Sequence, residues 1–139
     1  MASSFFLDSD VILDVLLERE NFYINAKKIM ALGAKKQIII FCSPIIITNV
    51  FYIVRKAKGG ATAFSIIKNL LENCKILSVG EFEIISAINS EFNDFEDAIQ
   101  YYTALRNPKI KGIITRNIAD YKKAALPIYT PESFLDLFR

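Results

Sequence analysis

The chain of 139 residues contains no histidine and only two cysteines, and its 17 basic residues nearly balance its 15 acidic ones. Each shortage closes off some chemistry. Without histidine there is no His-based general acid–base step, no Ser-His-Asp triad and no His zinc site. Cys42 and Cys74 are too few for a Cys-only structural zinc site, and their apolar surroundings read as core positions in a reducing compartment. A net charge of +2 carries no polyanion-binding signature at the level of the whole chain. Local basic groups at Lys27-Lys28, Lys35-Lys36, Arg55-Lys56-Lys58 and Lys122-Lys123 read first as solvated helix faces. Catalysis, if any, is left to carboxylates, hydroxyls, amides or lysines.

A leader and a membrane span are also missing from the pattern. Met1-Ala2-Ser3-Ser4 lacks a basic start, and charge arrives at Asp8, so no signal peptide is expected. The most apolar region, from Ile38 to Val54, is interrupted by Ser43-Pro44 and Thr48-Asn49. That reads as a strand followed by a helix, with no membrane role. A soluble, cytoplasmic protein is the expectation. No linker, internal repeat or low-complexity segment appears, and the length fits one domain over 1–139 with a full core. What the chain has in excess is apolar residues, 53% of the total. Such a surplus points to surface reserved for a partner or for self-association.

The rest of the chain is organised around Phe5-Phe6-Leu7-Asp8-Ser9-Asp10-Val11-Ile12-Leu13-Asp14. A short buried strand ends at Asp8, and the helical spacing from Val11 to Arg19 assigns Asp10 as N-cap. A buried unpaired carboxylate is costly. Asp8 is therefore either a rim residue, where open α/β sheets bind ligands, or the cap of the turn. Downstream, Phe22 to Lys36 reads as a helix and Gln37 to Cys42 as a buried parallel strand. Ser43-Pro44 gives a cap with proline at the first helical position. Gly59-Gly60 breaks the chain before a helix from Ala61 to Asn73, and Ile76 to Val79 reads as a third strand. Helices from Glu81 and from Asp94 precede a strand Gly112-Ile113-Ile114-Thr115, and Leu126 to Tyr129 reads as a last strand before a helix opened by Thr130-Pro131-Glu132. Strands alternating with helices predict a three-layer α/β/α sandwich around a mainly parallel sheet of about four or five strands.

Three of the apolar strands finish in polar residues, Asp8, Ser43 and Thr115. In a parallel sheet these ends share one edge. Asp94 and Asp97 lie three apart, on one helical face near its start. Together they would form an oxygen-rich acidic pocket suited to Mg²⁺ or Mn²⁺, which need few protein ligands when a substrate phosphate completes the shell. Such an ion lowers the pKa of an attacking water and stabilises a leaving oxygen without any histidine. The competing account is capping: Asp94 is a good N-cap, and Asp97 in the first turn meets the helix dipole favourably.

Two families share parts of this pattern. Asp8-Ser9-Asp10-Val11 after an apolar strand resembles the first motif of haloacid-dehalogenase-type phosphatases, and Ile113-Ile114-Thr115 resembles their second. The order then fails, because that family's acidic metal pair follows the threonine strand, whereas Asp94 and Asp97 precede Thr115. A small phosphatase built on Asp8 and Asp10 is the third reading. Nearly the whole chain resembles the PIN-domain nucleases, including VapC-type toxins of bacterial toxin–antitoxin pairs. The resemblance rests on four ordered motifs: Phe6 to Asp14, Ser43-Pro44 through Asn49 to Tyr52, Asp94-Phe95-Glu96-Asp97-Ala98, and Thr115-Arg116-Asn117 followed by Asp120-Tyr121.

By that resemblance Asp8 and Asp97 would be metal ligands, Asp94 an auxiliary carboxylate, and Thr115 would position Asp8 or the metal and its water. Arg116 would orient phosphates, and Ser43, Asn49 and Asn117 would line the substrate side. The protein would be a Mg²⁺- or Mn²⁺-dependent endoribonuclease, a homodimer with a groove for an antitoxin protein. Asn49 and Asn117 stand where the family usually carries acids, which lowers the charge available for metal. The second reading is therefore a catalytically degenerate PIN-like module that binds RNA or protein.

Overall fold

The computed structural model describes residues 2–121 and 124–138, so the Lys122-Lys123 pair lies outside the described residues. Five strands form one sheet: β1 (Ser3–Leu7), β2 (Ile38–Cys42), β3 (Cys74–Ile76), β4 (Ile110–Ile114) and β5 (Ile128–Tyr129). Their order is β3-β2-β1-β4-β5, and every pairing is parallel. The central strands are apolar almost throughout, as a parallel sheet covered on both faces requires. Phe6, Leu7, Ile38, Ile40, Ile113 and Ile114 are all shielded from solvent.

The helices are α1 (Ser9–Leu16), α2 (Tyr23–Ala34), α3 (Pro44–Lys58), α4 (Gly60–Leu70), α5 (Glu81–Ile88), α6 (Phe95–Arg106) and α7 (Pro131–Leu135). Right-handed crossovers put helices on opposite faces once the chain reverses direction along the sheet. The reversal comes between β3 and β4. Accordingly α1 packs on α2 and α3, and α2 on α7, while α5 packs on α6 and α6 against β4. The expected three-layer architecture is the observed one.

Local chemistry sets most element ends. Ser43 Oγ accepts the Ile46 N–H at 3.1 Å with Pro44 at the first helical position, and Thr130 Oγ1 accepts the Ser133 N–H at 3.0 Å ahead of Pro131. Gly59 joins α3 to α4 at φ +89°, a conformation that favours glycine. Gly112 serves close approach instead: a Cβ there would lie 2.8 Å from both the Pro127 carbonyl oxygen and the Tyr129 ring.

Two expectations need correction. The N-cap of α1 is Asp8, whose Oδ1 accepts the Ser9 N–H at 2.8 Å; Asp10 sits within the first turn. Its carboxylate has been taken by partners far away in sequence, described below. The third strand is Cys74–Ile76, earlier than Ile76 to Val79. Cys74 pairs with Ile40 and Ile76 with Cys42, the last residue of β2. Beyond the Leu77 N–H, which donates to the Cys42 carbonyl at 2.9 Å, there is no strand left to pair with.

Candidate active site

β1 and β4 are neighbours and end at the same sheet edge, so Asp8 and Thr115 emerge side by side. Both are buried, at 6% and 0% exposure. Asp8 Oδ2 accepts from Thr115 Oγ1 at 3.0 Å and from Tyr121 Oη at 3.0 Å. The carboxylate is thus both cap and rim residue. Burial pushes its pKa up, against the lowering effect of hydrogen bonds from Ser9, Thr115 and Tyr121, and the negative charge of Asp120 adds to the rise.

Three further carboxylates face the same place. Asp10 Oδ2 accepts the Arg116 N–H at 3.0 Å, with Thr115 Oγ1 at 3.4 Å. Its pKa is pushed up to about 6, first by burial and then by Asp8. Asp97, in the first turn of α6, is pushed up to about 7 by burial, by the charges of Asp8, Asp94 and Asp120, and by a hydrogen bond with Asp120. Asp120 lies in the 3-10 turn Ile118–Tyr121 that follows β4. Asp8, Asp10, Asp97 and Asp120 therefore crowd one corner, and their mutual repulsion appears in the raised pKa values.

Among the described residues, the charge of Arg116 offsets part of the rise at Asp10, but its guanidinium pairs elsewhere. Arg116 turns its guanidinium away from the cluster, with Nε 2.7 Å and Nη2 3.1 Å from the two oxygens of fully buried Asp14. Its guanidinium carbon also stands 3.9 Å from the Phe22 ring centroid. Arg116 thus reaches the acidic corner with a hydrogen bond from its backbone N–H, and its side chain acts there only through its charge on Asp10.

The remaining expected site residues separate. Asp94 is exposed and caps α6, its Oδ1 accepting the Asp97 N–H at 2.9 Å, while its charge still acts on Asp97. Ser43 is fully buried, and besides capping α3 its hydroxyl donates to Gln100 Oε1 at 2.7 Å. Asn49 donates its amide N–H to Glu96 Oε2 at 3.0 Å. Asn117 is exposed, and its backbone N–H donates to Thr115 Oγ1 at 3.1 Å. The sequence reading gives Asp14 no site role, Asp10 one only in the phosphatase alternative, and Asp120 and Tyr121 a place in the fourth motif without a role of their own. The signal for Asp14 was its place in the otherwise apolar run Val11-Ile12-Leu13; for Asp120 it was the spacing of three residues from Asn117.

The sequence pattern of the PIN domain matches residues 4–119. The chain belongs to the PIN domain family. No curated protein matches it in sequence. Among solved structures, the VapBC2 complex of Rickettsia felis bound to a promoter DNA fragment aligns at TM-score 0.66 and 15% identity, over 91% of this chain and 98% of that one. A toxin–antitoxin complex from Klebsiella pneumoniae aligns at TM-score 0.67 and 21% identity, over 91% and 97%. VapC20 of Mycobacterium tuberculosis, described as a sarcin–ricin loop cleaving toxin, aligns at TM-score 0.60 and 15% identity, over 78% and 86%. At these identities the likeness is one of fold.

PIN nucleases generally use a divalent metal, and the donor set of this PIN domain fits one. Its acidic corner offers oxygens, from carboxylates and the Thr115 and Tyr121 hydroxyls, which suits Mg²⁺ or Mn²⁺. Among the described residues Asp10 Oδ1 is buried without a hydrogen-bond partner, a state that normally calls for an ion or water. Among the described residues no three His, Cys, Asp or Glu side chains are close enough to cage an ion by themselves. That agrees with Mg²⁺-type sites, which take one or two carboxylates and fill the shell with water and substrate phosphate.

Proposed function

We propose that this PIN domain is a divalent-metal-dependent endoribonuclease, the toxin of a toxin–antitoxin pair. The observation that carries the reading is the crowding of Asp8, Asp10, Asp97 and Asp120 at one sheet edge, with the adjacent guanidinium neutralised elsewhere. Asp8 and Asp97 would hold Mg²⁺ or Mn²⁺, and Asp120 would supply the fourth-motif charge that Asn117 lacks. When bound, such an ion lowers the pKa of an attacking water and offsets the charge of the phosphate. Thr115 and Tyr121 keep Asp8 oriented by donating to one of its oxygens. Asp94, through the Asp97 N–H, fixes the start of the helix that presents Asp97. VapC20, with a similar fold, is described as a sarcin–ricin loop cleaving toxin, and structured and single-stranded RNA are the first substrates to try.

The test is incubation of labelled RNA with the protein in Mg²⁺ or Mn²⁺. Internal cleavage that stops with chelator and returns with added metal is expected. One observation favours the second reading, a degenerate RNA- or protein-binding module: the acid expected at the second motif is Asn49, occupied with Glu96. Salt-sensitive RNA binding without cleavage under either metal would establish that module instead.

Exposed large apolar side chains occur on several elements, and two groups of them lie on the outer helices. Tyr52 and Phe64 of α3 and α4 are 58% and 71% exposed, and Ile85 and Ile88 of α5 are 53% and 64% exposed. These are the faces for an antitoxin segment and a second copy of the chain. Light scattering on the chain alone should read a dimer; a monomer at high concentration would remove that part. Among the described residues no helix is long and apolar enough to cross a membrane.

A further inference from the structure

A cleft of about 320 Å³ opens beside the acidic corner, lined by Arg116 with Phe22, the amides of Asn21 and Asn25, and Glu132. Its size is at the small end of ligand pockets. The sheet explains its position. The Thr115 N–H donates to the Tyr129 carbonyl at 2.8 Å, so β4 and β5 leave the sheet side by side and the Thr130-Pro131-Glu132 turn arrives next to Arg116. Arg116 belongs to both places: its backbone N–H holds Asp10 at 3.0 Å and its side chain lines the cleft. We propose that this cleft is a nucleobase subsite with the hydrogen-bonding pattern of guanine, receiving a base next to the phosphate at the acidic corner. The proposal rests on the ribonuclease reading and names the nucleotide that the site selects.

Electrostatics decide for a base over a phosphate. The charge of Arg116 is already matched by Asp14 through two hydrogen bonds, and Glu132 is exposed with no ion pair among the described residues. With Arg19 also 3.6 Å from Asp14, the charges around the cleft cancel against Asp14 and Glu132 and leave no surplus cation to hold a phosphate, unlike the phosphate-orienting role that the resemblance implied for Arg116. Hydrogen-bonding capacity selects the base. Nε and one N–H of Nη2 are committed to Asp14, and the guanidinium lies over Phe22, which leaves the second Nη2 N–H and the Nη1 N–H groups as a pair of donors held in a fixed orientation. Guanine presents two acceptors, O6 and N7, on one edge, the pattern arginine reads. Its N1–H and N2–H donors on the adjacent edge match the Glu132 carboxylate. Adenine places a donor where the arginine needs an acceptor, and the pyrimidines lack the paired N–H donors and the N7.

The experiment is a nuclear magnetic resonance titration of isotopically labelled protein in chelator, so that no RNA or nucleotide is consumed, with GMP, AMP, CMP, UMP and inorganic phosphate as probes. GMP should shift the side-chain signals of Asn21, Asn25 and Arg116 saturably, with at least about tenfold preference over the other nucleotides. Glu132→Gln should remove that preference without changing the melting temperature, since the amide turns one acceptor into a donor facing N1–H and N2–H. Equal shifts with all four nucleotides, shifts reproduced by phosphate, or no shifts at all would overturn the subsite. Cleavage with added metal is scored separately. Intact cleavage without guanine preference overturns the subsite alone, and guanine binding without cleavage of any RNA overturns the ribonuclease reading alone.

Discussion

Asp8→Asn should abolish RNA cleavage, by at least about a hundredfold, while the protein stays folded. The size follows from position: residues that only orient a metal ligand typically cost about 10–100-fold when changed, and Asp8 is placed to hold the ion itself. Folding should survive because the amide is nearly the same shape. Its oxygen can still accept the Ser9 N–H, and its NH₂ can donate to the Thr115 and Tyr121 hydroxyls once these rotate. Stability against pH reads the same cluster independently of activity. In the metal-free protein Asp10 and Asp97 titrate at about 6 and about 7, above the ordinary value of 3.8. The folded state therefore binds protons more tightly than the unfolded chain. This favours folding fully below about pH 4, and the advantage is lost as pH rises through 6 to 7. The metal-free melting temperature should fall over that window, and saturating Mn²⁺ should flatten the fall by competing with the protons. Asp8→Asn removes a negative neighbour that raises both pKa values, so its fall should be shallower and end at lower pH. Wild-type cleavage by the variant, or a pH profile identical to wild type, would remove Asp8 from the site.

How much of this could be read in advance divides along sequence distance. The caps at Ser43-Pro44 and Thr130-Pro131 are local, and the apolar runs into Asp8 and Thr115 are local, so each announces itself. Asp8 and Asp10 show where local rules stop. Both are good N-cap residues, and the apolar periodicity beginning at Val11 favours the nearer one. The choice is made by the Arg116 N–H, 106 residues further on, which takes the Asp10 carboxylate and leaves the cap to Asp8. Strand order is likewise a matter of long-range pairing, and so is the end of β3, which stops where β2 runs out. In the sequence Asp120 belongs to the fourth motif but takes no role, because Asn117, three residues earlier, occupies the expected position. Only the folded 3-10 turn shows the charge three residues further along, at Asp120, where it meets Asp97.

Arg116 makes an ion pair with buried Asp14 that its sequence position did not announce, and its replacement tests what the side chain does. Arg116→Met should destabilise the protein by about 2–4 kcal/mol, toward the lower part of the range for breaking a buried pair. Asp14 is fully buried and would lose two charge-assisted hydrogen bonds. Arg19, 3.6 Å from Asp14 Oδ1 and 36% exposed, offers partial compensation and keeps the loss from being larger. At roughly 3–5 °C per kcal/mol for a domain of this size, the fall in melting temperature should be about 6–20 °C. A phosphate-binding arginine at the rim would behave differently, since its removal weakens RNA binding and leaves melting almost unchanged. The double variant Asp14→Leu with Arg116→Met separates the two. If the pair is structural, removing both charges should recover much of the stability lost by the single change, because the cost lies in the stranded carboxylate. Melting temperatures that add independently would show that Asp14 and Arg116 do not act as a unit. The guanidinium would then be free to serve the substrate directly.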